Sequence, residues 1–165
     1  MSAARRTARY DFIAYNRYGV LRPSLGLWLS LAFLCRHVAT TLLVVMAAGR
    51  GARDSGIDLS EFGHLLNPWF MLADLPAVAL LLALAARMPT AGSIPRVLWR
   101  SGRFLLLGAC LVYAGLILRH LPVDDARLAV ADWLGFAGTA SVAVYALLSP
   151  YLGDLFREFP ERSGE

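Results

Sequence analysis

Four apolar runs constrain this chain more than any other feature, and the longest extends from Leu25 to Ala48. As a helix its roughly 24 residues reach about 36 Å, enough to cross a hydrocarbon core of about 30 Å. The other runs are Trp69–Ala86, entered through Asn67-Pro68, then Phe104–Leu118 and Leu128–Leu148. The shorter ones borrow flanking residues, so the expected spans are about 25–48, 69–88, 103–120 and 128–148. Ala47-Ala48-Gly49 resembles a signal cleavage site. The run before it far exceeds the roughly 7–15 apolar residues of a signal peptide, so it reads as a retained span.

Composition agrees. Of 165 residues, 58% are hydrophobic and 17% charged, against about half and a quarter in a soluble domain. All 16 basic residues are arginine. They flank apolar runs and form no basic helix or aromatic-basic ladder, so the net charge of +4 does not point to nucleic acid. Cys35 and Cys110 lie within apolar runs and read as small packing residues rather than a disulfide or metal ligands.

Arginine placement sets an orientation. Arg5, Arg6, Arg9, Arg17 and Arg22, then Arg87, Arg96, Arg100 and Arg103, then Arg157 and Arg162 fall on one side; Arg50, Arg53, Arg119 and Arg127 fall on the other. Eleven against four puts both termini in the cytoplasm. Aromatics such as Tyr10, Trp28, Trp69, Trp99, Trp133 and Tyr151 mark the span ends, the headgroup level that amphipathic rings prefer. The loops leave no room for a soluble domain. The expectation is one membrane domain over 1–165, an all-α integral membrane four-helix bundle with cytoplasmic N- and C-termini.

Small residues bring membrane helices together. The fourth span carries Ala131, Gly135, Gly138 and Val142 at helical spacing, and the third carries Gly108 and Gly115 one heptad apart. Both faces are expected to be buried, within the bundle or against another protein.

One charge does not fit a plain span. Arg36 and His37 stand near the middle of the first run, where a guanidinium costs about 2.5–3.5 kcal/mol to insert. Thr40 and Thr41 lie one turn on from Arg36 and His37, and Ser30 two turns before His37, so the helix has a polar stripe that should face protein. Asp74 is the acid well inside the second span, and the expectation is an Arg36–Asp74 pair, with Asp132 as a second candidate. Pro76, two residues on, removes a backbone hydrogen bond and frees the Leu72 carbonyl toward the same spot. Three readings follow: a structural lock; a site for an anionic lipid headgroup, quinone or other small ligand; and a proton or ion path through Arg36, His37 and Asp74. Enzyme chemistry is not expected. His37, His64 and His120 are scattered in depth, no acid completes a triad with Ser30 and His37, and no metal-site or phosphate-loop pattern occurs. No cofactor is named. Arg119-His120, at the outer edge of the third span, can snorkel to headgroups.

The lead YNRYGVLRPSLGLW, the mid-span arginine of LCRHVATTLLVVMAAG and LPAVALLL of the second span resemble the YfeZ-like family, small inner-membrane proteins of proteobacteria grouped as a domain of unknown function. The resemblance covers about residues 10–150. Where that family has an aromatic-Asp pair before the glycine, this chain reads Tyr15-Asn16, with Tyr10-Asp11 earlier. The resemblance implies a multi-pass protein of the bacterial inner (cytoplasmic) membrane with four helices, and it carries over no catalytic residues. The expected role is a small accessory or structural subunit, contacting the lipid bilayer and either its own copies or a larger membrane complex. The alternative is a binder or transporter of a small anionic ligand, lipid or proton.

Overall fold

The computed structural model describes residues 10–16, 18–49, 68–120 and 130–160. Nearly all of this is helix: α1 (Leu25–Leu34), α2 (Arg36–Gly49), α3 (Pro68–Ala85), α4 (Ser93–Arg100), α5 (Gly102–His120), α6 (Val130–Leu148) and α7 (Pro150–Arg157). α3 and α5 are long and apolar enough to cross a membrane. The count rises to four if α1 with α2, and α6 with α7, each form one bent span.

The first run is therefore not one straight helix. It breaks at Cys35, and its halves meet at 62°. Nothing local demands this, since residues 27–48 contain neither proline nor glycine, the usual causes of a sharp kink. The cause lies on another helix and is taken up below. The second bend, 69° between α6 and α7, does have a local cause. Pro150 cannot continue α6, and Ser149 restarts the chain by accepting a hydrogen bond from the Leu152 amide.

The core runs along the axis of the assembly, from Leu27, Leu31 and Leu34 through Ala77 and Leu80 to Leu106, Val142 and Ala146. α3 and α5 pack side by side, with α6 against α5 and α1 against both α3 and α6. Gly26 makes the α1–α6 crossing close. A β-carbon there would stand 2.7 Å from the Tyr145 ring, whose hydroxyl bonds at 2.6 Å to Ser24, the residue that caps α1 through the Leu27 amide.

One end of the molecule is closed by a network that the apolar runs do not announce. Tyr15 and Leu21 pair in an isolated antiparallel bridge, the Asn16 side chain accepts from the Tyr18 amide, and Gly19 takes the left-handed backbone (φ 70°) that glycine tolerates. Leu21 is thereby buried, its amide donating to the Glu158 carboxylate at 2.9 Å and its carbonyl accepting from Arg87 at 2.7 Å. Arg87 also donates to the Glu158 carbonyl at 2.9 Å and lies 4.5 Å over the Trp99 ring. Burial draws the Arg87 guanidinium down to about 10, with Glu158 and then Tyr151 acting the other way, so it remains charged at neutral pH. Trp99, fully buried on α4, sends its indole N–H to the Leu155 and Glu158 carbonyls, both at 3.0 Å. Tyr10 and Tyr151 add bonds to Asp154 and to the Arg22 carbonyl. The N-terminal segment, α4 and α7 are thus fastened together.

Candidate functional site: a charged helix break

The break at Cys35 produces two helix ends inside apolar surroundings. α1 stops with carbonyls lacking their next amides, and α2 starts with amides lacking carbonyls. Inside a membrane such groups need protein partners. The structure supplies one charged side chain for each end.

At the start of α2, Asp74 of α3 takes the place of an N-cap side chain. Its Oδ2 accepts from the His37 and Val38 amides, both at 3.0 Å. These are the second and third residues of α2, the amides that a capping side chain ordinarily satisfies. The residue in the N-cap position, Cys35, has a thiol, a weak acceptor. The other oxygen, Oδ1, lies 3.2 Å from His37 Nδ1. Asp74 is 2% exposed and His37 4%. At the end of α1, the Arg36 guanidinium folds back and donates to the Phe33 carbonyl at 2.6 Å. An anion at a helix N-terminus and a cation at a helix C-terminus both oppose the local end of the backbone dipole favourably.

This corrects the expected pairing. Arg36 and Asp74 make no direct bond; the side chain that meets Asp74 in the centre is the His37 imidazole, 3.2 Å away. The break explains the difference, because it creates backbone groups that each charge satisfies better than a long reach across the helices would. Arg36 is further held between two rings, 4.0 Å from Phe33 and 4.2 Å from Tyr113, a stacking that its planar guanidinium permits and an ammonium does not. One of its donors, Nη2, is buried with no hydrogen-bond partner among the described residues.

The remaining residues of the polar stripe divide. His37 stacks on Phe70 at 5.3 Å and lies 5.6 Å from Tyr113. Thr41 donates to the His37 carbonyl at 2.8 Å. Ser30 is buried but bonds within its own helix, to the Gly26 carbonyl. Thr40 is half-exposed and stands apart from the Asp74 contacts.

Two of the glycines read as packing positions enter the same site. A β-carbon on Gly138 would run into the Phe33 ring, and one on Gly135 would stand 2.8 Å from the Tyr113 hydroxyl. α6 therefore seats the two rings that sandwich Arg36. Gly108 and Gly115 behave otherwise. A β-carbon at either meets nothing within 4 Å among the described residues, and Gly115 is exposed, so neither is a packing contact there. The side chains of Ala131, Asp132 and His120, and all of His64, lie outside the described residues.

Sequence reasoning missed Phe33, Phe70 and Tyr113. Phe33, three residues before Arg36 and so on the same helix face, was the one discoverable signal. The Arg87–Glu158–Leu21 closure was also missed, because backbone carbonyls carry no sequence signature. No three His, Cys, Asp or Glu residues gather as metal ligands among the described residues.

A family model described as "Protein of unknown function (DUF2919)" matches residues 10–158, a range that includes every group of the charged break and of the closed end. No curated protein and no solved structure matches the chain.

Proposed function

We propose that this chain, which belongs to the DUF2919 family, is a small accessory or structural subunit of the bacterial inner membrane without enzymatic activity of its own. In this reading the chain has four spans, two of them bent, with both termini in the cytoplasm, and its outward helix faces associate with further copies or with a larger membrane complex. The arginine asymmetry supports that orientation. The observation that carries the role is the closure of the charged centre on itself. Asp74 is engaged by two amides and an imidazole, and Arg36 by a carbonyl and two rings. These charges shape the backbone, while large apolar side chains such as Leu111 and Leu118 of α5 point outward.

Photo-crosslinking in cells from residues placed at Leu111 and Leu118 tests this. A discrete adduct with a second polypeptide, recovered also by purification in mild detergent, is the expected result. Lipid adducts alone, with no co-purifying protein, defeat the subunit reading.

One observation favours a second reading. The unpartnered Arg36 Nη2 leaves a donor for a small anionic ligand or lipid headgroup, or for a proton path through His37 and Asp74. On that reading a molecule that co-purifies with the wild type disappears in Arg36→Gln, or a pH-dependent flux in proteoliposomes is abolished by Asp74→Asn. If both variants match the wild type in these assays, the second reading fails.

A further inference from the structure

α4 joins α3 and α5, the two helices that are each long and apolar enough to cross a membrane. It cannot stray far from where they leave the bilayer. Only residues 86–92 separate it from α3, and Ser101 alone separates it from α5. Its inward face is fixed by Trp99, buried against Phe156 and bonded to the C-terminal segment. The opposite face is exposed and mostly apolar. Ile94 is 73% exposed, Val97 65%, and Phe104, in the first turn of α5, 77%. Arg100 lies exposed among them.

Charge at this end is unbalanced in a particular way. Arg22, Arg100 and Arg157 are exposed. Of the acids, Asp154 accepts from the Tyr10 hydroxyl and Glu158 from the Leu21 amide, which leaves Asp11 as the exposed acid among the described residues. An apolar strip with exposed guanidinium groups at the same end of the molecule, held at the level where two spans emerge, has the composition of a helix lying in a membrane interface. There apolar side chains enter the acyl boundary and arginine meets lipid phosphate.

We infer that α4 is a membrane-surface helix, with Ile94, Val97 and Phe104 inserted in the bilayer boundary and Arg100, backed by Arg22 and Arg157, binding the phosphate of anionic phospholipids. The occupant of this face is the lipid headgroup layer rather than a protein. The inference concerns the closed end of the molecule and is independent of the role of the charged break.

Spin labels at Val97→Cys and Ile94→Cys, in the full chain carrying Cys35→Ala and Cys110→Ala, test the insertion in vesicles of phosphatidylcholine and phosphatidylglycerol. Both labels should be more accessible to oxygen than to a water-soluble nickel chelate. Greater nickel access means the face is in water, and exclusion from both reagents means it is covered by protein; either result overturns the proposal. Lipid retention by the detergent-purified protein, read by native mass spectrometry, tests the arginines. The wild type should retain phosphatidylglycerol over phosphatidylcholine, and Arg100→Gln should lower that preference about fivefold. Equal retention of both lipids by the wild type, or a preference unchanged in Arg100→Gln, overturns the anionic part. Arg157→Gln serves as a second variant if Arg100→Gln does not purify.

Discussion

Replacing Asp74 by alanine removes three contacts at once, and the structure ranks them. Two are backbone amides, His37 N–H and Val38 N–H, each 3.0 Å from Oδ2; the third is the imidazole, 3.2 Å from Oδ1. A buried donor stripped of its acceptor costs about 1–3 kcal/mol. Hydrogen bonds between membrane helices average only about 0.6 kcal/mol when measured by cycles, because the unfolded reference finds partners within the bilayer. Two orphaned amides and the lost charge–dipole attraction therefore place Asp74→Ala at about 2–4 kcal/mol. His37→Ala removes one side-chain bond worth about 1 kcal/mol, together with ring packing, and leaves both amides satisfied.

The informative measurement is the double-mutant cycle, read by reversible unfolding in mixed micelles. If Asp74 acts mainly on the backbone, introducing Asp74→Ala into a His37→Ala protein still costs about 2 kcal/mol or more. If Asp74 acts mainly as an ion-pair partner of His37, that step costs almost nothing. A near-zero cost in the His37→Ala background refutes the capping argument.

Gly138→Ala should destabilise by about 1–3 kcal/mol, because its β-carbon meets a stacked ring rather than a flexible chain end. Gly115→Ala should stay within about 0.5 kcal/mol of the wild type in thermal unfolding, and loss of a co-purifying partner in that stable variant would locate the partner on α5. Arg87→Gln should destabilise by about 1–3 kcal/mol, through the Leu21 carbonyl left without its donor while the Glu158 carbonyl keeps the Trp99 indole. Because burial lowers the Arg87 value to about 10, below the ordinary guanidinium range, the folded state releases this proton first, and its contribution to stability rises only as pH climbs past about 10. The gap between wild type and Arg87→Gln should therefore be flat from about pH 6 to 8, as melting curves at several pH values will show.

How much was legible in the sequence follows from which signals are local. The apolar runs were legible because bilayer thickness imposes a length on them. Arg36, His37 and Asp74 were legible as a polar centre because charge inside an apolar run needs a partner. The manner of their partnership was not, since it depends on a break with no proline or glycine to mark it. Gly138 and Gly115 show the limit of spacing arguments: both sit in helical small-residue patterns, yet one receives the Phe33 ring and the other meets no packing contact among the described residues. α4 was hidden in a loop rich in arginine. Its SIPRVLWR reads as a helix only when Trp99 is seen to turn inward while Ile94 and Val97 turn out.

The break and its charges then explain each other. A sharp bend without proline or glycine arises where a side chain enters the hydrogen-bond ladder, and the Asp74 carboxylate does so at the His37 and Val38 amides. In an unbroken helix those amides would bond to the carbonyls of Phe33 and Leu34. The Phe33 carbonyl already accepts from Arg36, whose folded-back guanidinium competes with the His37 amide for it, so removing Asp74 alone leaves a competitor at that rung. Removing both charges, as in Arg36→Leu with Asp74→Leu, frees every group needed to close it. An apolar pair can equal or exceed a buried charged arrangement in stability, so this double variant should fold at least as well as Asp74→Ala while straightening the first span. Between labels at the exposed positions 25 and 46, a 62° bend gives a separation along the helix axes of about 27 Å, and a continuous helix about 31 Å. Electron-spin distance measurements resolve that difference. An unchanged distance in the double variant would mean that packing around Cys35, and not the two charges, holds the bend.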